Sequence, residues 1–243
     1  MPLPEPSNWQ LQVAHVSDVT PLMRRIVFTN PLLSSFAYAP GQDVSLAFTN
    51  HEGVTVRRRY TIRGFDRERR LLEINVVMHG DGPGMRWAQM AKPGSPIEAI
   101  APRGKITLAE GADWHLFAGD ASAVPASLAM MEALDDSVPA IALLEVDGPD
   151  ERQLPTKNGL SHTIEWCYGS AEAPSANLVT ALNRLAIPAG RGHAYLAGEV
   201  SLVMALKQSL ISRGLQPDQI SAKAYWNRGK PNAERGEPEQ RAS

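Results

Sequence analysis

The chain has 243 residues, which at roughly 150 residues per domain allows one large domain or two compact ones. Hydrophobic residues make up 43% and charged residues 21%, close to globular averages, which excludes disordered, collagen-like and coiled-coil chains. The 24 Lys and Arg nearly balance 26 Asp and Glu for a net charge of -2, so nothing draws the whole chain toward nucleic acid or an anionic membrane.

Up to about residue 108 the apolar residues fall in short runs with period-two features, separated by Pro, Gly, Asn and Asp. These runs predict strands over 11–19, 24–29, 43–48, 56–65, 71–79 and 95–101. A helix is expected at 84–90, opened by Asp81-Gly82-Pro83 and ended by Lys92-Pro93-Gly94. Strands at this spacing predict an antiparallel β-barrel or sandwich.

From Trp114 onward the pattern changes. Strand-like runs over 114–118, 140–146, 163–168, 194–197 and 220–226 alternate with helical stretches over 122–134, 177–185 and 200–213, the mark of βαβ units on a Rossmann-like parallel sheet. The strands feed glycine-marked loops at Gly119, Gly169 and Gly198, where an open α/β sheet binds its ligands. The expected division is therefore a barrel domain over 1–108 and an α/β domain over 114–228. The polar residues 229–243 are expected to form a disordered tail.

Residues 1–6 lack the positive start and apolar run of a secretory signal, and no apolar stretch reaches the roughly 18 residues that cross a bilayer. A cytoplasmic protein without stable membrane insertion is expected. The single cysteine, Cys167, rules out intrachain disulfides, and with 6 scattered histidines it leaves no CxxC-type zinc or iron–sulfur site. Redox chemistry would need an organic cofactor and no protein-bound metal.

The most unusual local composition is Arg57-Arg58-Arg59-Tyr60-Thr61-Ile62-Arg63, followed by Arg67, Arg69 and Arg70. On a strand Arg58, Tyr60 and Ile62 share one face, and Arg57, Arg59, Thr61 and Arg63 the other. A guanidinium two positions from an aromatic ring suits a ligand with a phosphate and a flat ring; a solvated edge strand explains the same letters. The segment His79-Gly80-Asp81-Gly82-Pro83-Gly84-Met85 runs from a strand end into a helix start, where glycines admit close approach and free N–H groups attract an anion. A capped Gly/Pro turn is the plain alternative. The turn Gly119-Asp120-Ala121-Ser122-Ala123 holds the position of a dinucleotide-binding turn without its GxGxxG pattern. Ser122 and Ser170 lack a GxSxG setting, which disfavours a hydrolase, and Cys167, between Trp166 and Tyr168, reads as a packed thiol.

Together the motifs resemble a family. The order Arg58-x-Tyr60-Thr61-x-Arg63, His79-Gly80-x-Gly82-Pro83 with Trp87-Ala88, Gly119-Asp120-x-Ser122-Ala123-x-Pro125-Ala126, Ala197-Gly198-Glu199 and Ala224-Tyr225-Trp226-x-Arg228-Gly229 is similar to the siderophore-interacting proteins. These are FAD-dependent ferric-siderophore reductases of the ferredoxin-NADP reductase superfamily, and the likeness runs over about residues 8–230. It implies that FAD sits in the barrel, with Tyr60 stacked on the isoalloxazine, Thr61 bonding near its reactive edge and Arg58 pairing with the pyrophosphate. The loop His79, Gly80, Gly82 and Pro83, with Gly84 and Met85 at the helix start, would bind the phosphate–ribitol chain. Met85 stands where a serine is expected, leaving backbone donors alone. Gly119, Asp120, Ser122 and Ala123 would take the pyrophosphate of NAD(P)H, although Ala121 departs from the expected acidic residue.

Gly198 and Glu199 would lie near the nicotinamide, so the catalytic set is Tyr60, Thr61 and Glu199. Trp226 would cover the flavin or stack on adenine or nicotinamide, unless it is a core-edge aromatic. Arg57, Arg63, Lys105 and Lys223 would attract an anionic ferric siderophore. Glu145 and Asp147 lean toward NADH and Arg152 toward NADPH, with ferredoxin as another donor in the family. A general NAD(P)H:flavin reductase and a binding module without turnover are the alternatives.

Overall fold

The computed structural model describes residues 5–157, 161–169 and 176–228. Ser170 and the expected tail over 229–243 lie outside them. In the first half β1 (Ser7–Thr20), β2 (Met23–Thr29), β3 (Asp43–Thr49), β4 (Thr55–Thr61), β5 (Gly64–Asp66), β6 (Leu71–Val77) and β7 (Pro96–Arg103) form one sheet in the order β4-β3-β7-β1-β2-β6-β5. Each neighbouring pair is antiparallel.

The strand expected over 56–65 is two strands, and the break closes the sheet. The edges β4 and β5 are joined by only Ile62 and Arg63. The Ile62 amide donates to the Gln42 carbonyl at 3.0 Å on one side, and the Arg63 amide to the Glu73 carbonyl at 2.8 Å on the other. With its two edges stitched by consecutive residues the sheet is barrel-like and exposes no open ladder there. Ile62 points inward and is fully buried, as are Ile26, Phe28, Leu46, Leu72 and Ile74. Each such side chain contributes roughly 1.5–3 kcal/mol of burial. A short 3-10 turn, Pro31–Ser35, was not expected from the apolar pattern; the Asn30 side chain caps it by accepting from the Leu32 amide at 2.7 Å. Helix α1 (Pro83–Met90) begins after Gly82 with proline in its first turn, where its missing N–H costs nothing.

The second half alternates β8 (Trp114–Gly119), α2 (Val124–Glu132), β9 (Ala140–Val146), β10 (His162–Tyr168), α3 (Ala176–Arg184), β11 (Gly192–Glu199), α4 (Val200–Ser212) and β12 (Ile220–Trp226). The strands are parallel in the order β10-β9-β8-β11-β12. The order reverses between β8 and β11, so the loops leaving Gly119 and Glu199 diverge and open a crevice at that switch point. α2 is buried along Val124–Met131, because Ile106 and Leu108 of the connecting segment pack on the same cluster as the sheet. That two-sided burial explains its apolar sequence without a polar stripe. The helix expected over 122–134 opens with a separate 3-10 turn, Ala121–Ala123, capped by Asp120.

Polar links among the described residues hold the halves together, the Thr61 and Tyr225 hydroxyls at 3.5 Å being one of them. Arg63 grips Glu132 through two bonds of 2.7 and 2.6 Å. Lys223 reaches Asp43 at 3.1 Å. Glu151, 8% exposed, accepts from the Thr20 hydroxyl at 2.5 Å and the Leu22 amide at 2.9 Å.

Candidate functional site

The Arg58–Tyr60 face of β4 meets the N-terminus of α1. No side chain caps that helix start, so its first N–H groups keep their affinity for an anion. Tyr60 lays its hydroxyl on Gly84 so closely that a side chain at 84 would overlap it, and its ring stands edge-on to Phe48 at 6.2 Å. Burial pushes the Tyr60 phenol up to about 12, which keeps it neutral. Arg58, half-buried on the same face, pairs with no carboxylate of the described residues and gives one bond to its neighbour's carbonyl, Arg57 O, at 2.8 Å. Burial lowers its pKa, yet a guanidinium stays charged. A half-buried cation without a counter-ion, an uncapped helix start and a Cβ-free cradle at Gly84 fit the phosphates of FAD. The other face turns to β12, where Thr61, 9% exposed, sits 3.5 Å from the Tyr225 hydroxyl.

At the crevice one carboxylate joins three motifs. Asp120 Oδ1 accepts from the Ser122 amide and hydroxyl at 2.9 and 2.6 Å. Its Oδ2 accepts from the Glu199 amide at 2.7 Å and from the Trp226 indole Nε1 at 2.9 Å. Gly198 allows this: its φ of +133° is rare for a residue with a side chain, and a Cβ there would strike the Asp120 carboxylate. Held in this way, the Trp226 ring leans on His79 of the barrel loop, centroids 5.6 Å apart, under the Arg228 guanidinium at 5.9 Å.

Glu199 caps α4, accepting from the Ser201 amide at 2.7 Å, the Leu202 amide at 3.2 Å and the Ser201 hydroxyl, while its second oxygen takes the Arg228 amide at 3.4 Å. Burial raises its pKa, but these bonds outweigh burial and hold the carboxyl below the ordinary range. It is therefore an ionised helix cap, bonded on both oxygens, in the crevice wall.

The expected pyrophosphate turn uses two of its amides internally. The Ser122 amide is taken by Asp120, and the Ala123 amide by the Asp120 carbonyl at 2.8 Å. Gly119 packs so tightly on the Ala197 carbonyl and Ala123 that a side chain there would collide with both. The Ser122 and Ala123 amides are thus engaged within the turn, while Asp120 lines the crevice wall. A crevice of about 400 Å³ opens beside it, lined from the barrel by Met23 and His79 and from the α/β half by Asp120, Glu145, Glu199 and Trp226.

Of the four cations expected to attract substrate, three are paired with carboxylates. Arg63 is buried, its side chain 9% exposed against Glu132, so its charge is spent inside. Lys223 shares Asp43 with Arg59. Arg57 pairs with Glu98 at 3.4 Å, and Lys105 is exposed. The long-range bonds of Asp120 and the Glu151 link had no sequence signal, since those partners lie 79 to 131 positions away. Cys167 is a buried thiol that burial raises to about 11. Among the described residues no group of three His, Cys, Asp or Glu is placed to hold a metal ion, and no helix is long and apolar enough to cross a membrane.

Comparison with known proteins agrees with this geometry. Residues 51–106 match the siderophore-interacting FAD-binding domain and residues 112–229 the siderophore-interacting protein model. The chain is 36% identical over 183 residues to the ferric vibriobactin reductase ViuB of Vibrio cholerae, covering 72% of this chain and 66% of that protein, just under two thirds of its length. It is 28% identical over 167 residues to the NADPH-dependent ferric-chelate reductase of Escherichia coli, covering 67% of this chain and 63% of that one. The crystal structure of a siderophore utilization protein from T. fusca superposes with a TM-score of 0.84 at 28% identity, covering 96% of this chain and 98% of that one. With both halves matched in order, the chain belongs to the siderophore-interacting protein family.

Proposed function

We propose that the protein is an FAD-dependent reductase that passes electrons from NAD(P)H to ferric siderophore complexes and so releases Fe(II). The observation that carries this reading is the pairing of an uncapped α1 N-terminus with the counter-ion-free Arg58 and Tyr60 on one barrel face, beside a crevice at the switch point of the parallel sheet. When bound, FAD takes up an electron pair as hydride and gives it out one electron at a time, which links a nicotinamide to iron.

The chain's own residues bind and orient. Arg58 and the Gly84 and Met85 amides hold phosphate, and Tyr60 offers its ring to the isoalloxazine. Thr61 presents a hydroxyl that Tyr225 orients. Asp120 and Glu199 fix the crevice walls, and Trp226 with His79 forms the partition between crevice and barrel. Ferric iron is substrate: siderophore oxygens hold Fe(III) far more tightly than Fe(II), so reduction weakens the complex without any protein ligand. Lys105 and Arg57, at the surface, are the remaining cations for an anionic chelate.

A nicotinamide donor is an intracellular pool, and a single thiol suits a reducing compartment, so we place the activity in the cytoplasm. Ferredoxin is the second donor to assay. The test is iron release from a panel of ferric chelates with added FAD and each donor. Donor-dependent Fe(II) release that needs FAD supports the reading; flavin reduction indifferent to the chelate would make it a general flavin reductase, and ligand binding without donor consumption a binding module.

A further inference from the structure

We infer that Glu151 is a positioning residue for transfer from the electron donor to the flavin: through the turn between β1 and β2 it holds His79 of the barrel against Trp226. The inference rests on the reductase reading and adds to it the residue that fixes the crevice relative to the barrel.

Glu151 belongs to the α/β half and ends a short 3-10 turn, Pro149–Glu151, that follows β9. The turn is held in itself: the Glu151 amide donates to the Gly148 carbonyl at 3.0 Å and the Arg152 amide to the Pro149 carbonyl at 3.3 Å. The Glu151 side chain leaves its own half and closes on the β1–β2 turn, where Oε2 accepts from the Thr20 hydroxyl at 2.5 Å and Oε1 from the Leu22 amide at 2.9 Å. Both Glu151 and Thr20 are buried, so water competes little for these bonds. The same segment is anchored again at Thr156, whose amide donates at 2.7 Å to Glu132, the carboxylate that Arg63 grips from the barrel.

The Leu22 peptide carries the hold onward. Its carbonyl accepts from the Met78 amide at 2.8 Å, one residue past the end of β6, and Met78 immediately precedes His79. The His79 ring lies against Trp226, centroids 5.6 Å apart, and the Trp226 indole is bonded to Asp120 at 2.9 Å. The chain of contacts thus leaves the α/β half at Glu151 and returns to it at Trp226. Leu22, His79, Asp120, Glu151 and Trp226 all line the crevice, so these contacts form a loop around the site itself. Across this junction the donor's C–H bond breaks and its hydride, carrying both electrons, reduces the flavin; Glu151 gives and takes nothing in that step. Hydride passes only at contact distance, and a misplacement of about 1 Å costs up to about a hundredfold in rate.

Two measurements on the full chain test this. Hydrogen exchange without nucleotide reads the hold directly: Glu151→Ala should speed exchange at the Met78 amide and leave the amides of β8 and β11 as protected as in the native chain. Stopped-flow absorbance of the FAD-loaded protein then separates the two half-reactions. Glu151→Ala should slow flavin reduction at saturating NADH by about tenfold or more, while a ferric chelate reoxidises the dithionite-reduced protein at the native rate. Thr20→Val removes one of the two bonds and should show the same split to a smaller degree. Glu151→Gln, whose carbonyl still accepts from Leu22 and whose amide donates to the Thr20 oxygen, should recover most of the rate. Equal slowing of both half-reactions, native exchange at Met78 in Glu151→Ala, or a glutamine variant as slow as the alanine one overturns the inference. A native chain that holds FAD yet is bleached by neither NADH nor NADPH defeats the reductase reading instead, before any variant is made.

Discussion

The indole of Trp226 donates to the carboxylate of Asp120 at 2.9 Å, and this bond ties the last strand of the sheet to the turn after its first strand. The same oxygen holds the Glu199 amide. Asp120→Ala orphans the Ser122 and Glu199 amides and the indole together, at a cost of about 1–3 kcal/mol. Thermal unfolding should show that loss, and Trp226 emission should shift toward that of a solvated indole. The emission change must vanish in a Trp226→Phe background, and its persistence there would assign it to another tryptophan.

The cradle at Gly84 makes a second prediction. A methyl at this position overlaps the Tyr60 hydroxyl, and overpacking of this kind costs roughly 1–3 kcal/mol. Gly84→Ala should weaken FAD binding by about tenfold or more at that cost, measured by quenching of flavin fluorescence on titration. Adding Tyr60→Phe removes the obstructing oxygen and should restore part of the affinity. A double variant no better than Gly84→Ala alone would refute the steric account.

Arg63 and Glu132 form a pair between the halves that is mostly buried. Arg63→Ala leaves a buried carboxylate without its cation, which typically costs about 3–5 kcal/mol. Burial raises the Glu132 pKa, but Arg63 and the Thr156 bonds outweigh it, so the carboxyl titrates below its ordinary value. A depressed carboxyl stabilises the fold above its unfolded pKa and loses that contribution as the pH falls through the folded one. Denaturant melts of the native chain should weaken with acid across that range, and Arg63→Ala should flatten or reverse the trend.

His115 adds a separate acid sensitivity. Burial, then the neighbouring His193, pulls its pKa from 6.5 to about 4. The Tyr195 hydroxyl accepts from the Ala109 amide at 2.7 Å and lies 3.3 Å from His115 Nδ1, an arrangement that suits a neutral ring. The unfolded chain binds the extra proton first, so stability falls as the pH drops from 6.5 toward 4, by on the order of 2 kcal/mol. His115→Phe should remove this component from the pH dependence of unfolding, and an identical slope in that variant would contradict it.

The elements of both halves were legible because their burial follows local periodicity, from the inward face of β4 to the glycine-ended parallel strands. Barrel closure at Ile62 and Arg63 was not, since an unbroken strand-like segment over 56–65 hides a change of partner from Gln42 to Glu73. Arg58, Tyr60 and the α1 start came together as their motifs implied. The bonds of Arg63 to Glu132 and of Glu199 to the α4 amides were not legible, because they are chosen by tertiary packing and capping, which the composition of the arginine run and the Gly-Glu dipeptide do not encode.

The central claim is that a flavin held by the barrel carries electrons from the crevice to a ferric chelate. Its most direct test mixes the FAD-loaded protein anaerobically with NADH and then with a ferric siderophore, while following the flavin's visible band and Fe(II) capture by a chromogenic chelator. The account predicts bleaching by NADH, recovery of the band on adding the chelate, and Fe(II) appearing in step with that recovery. Bleaching that the ferric chelate leaves unchanged, or Fe(II) formed at the same rate without FAD, would contradict it.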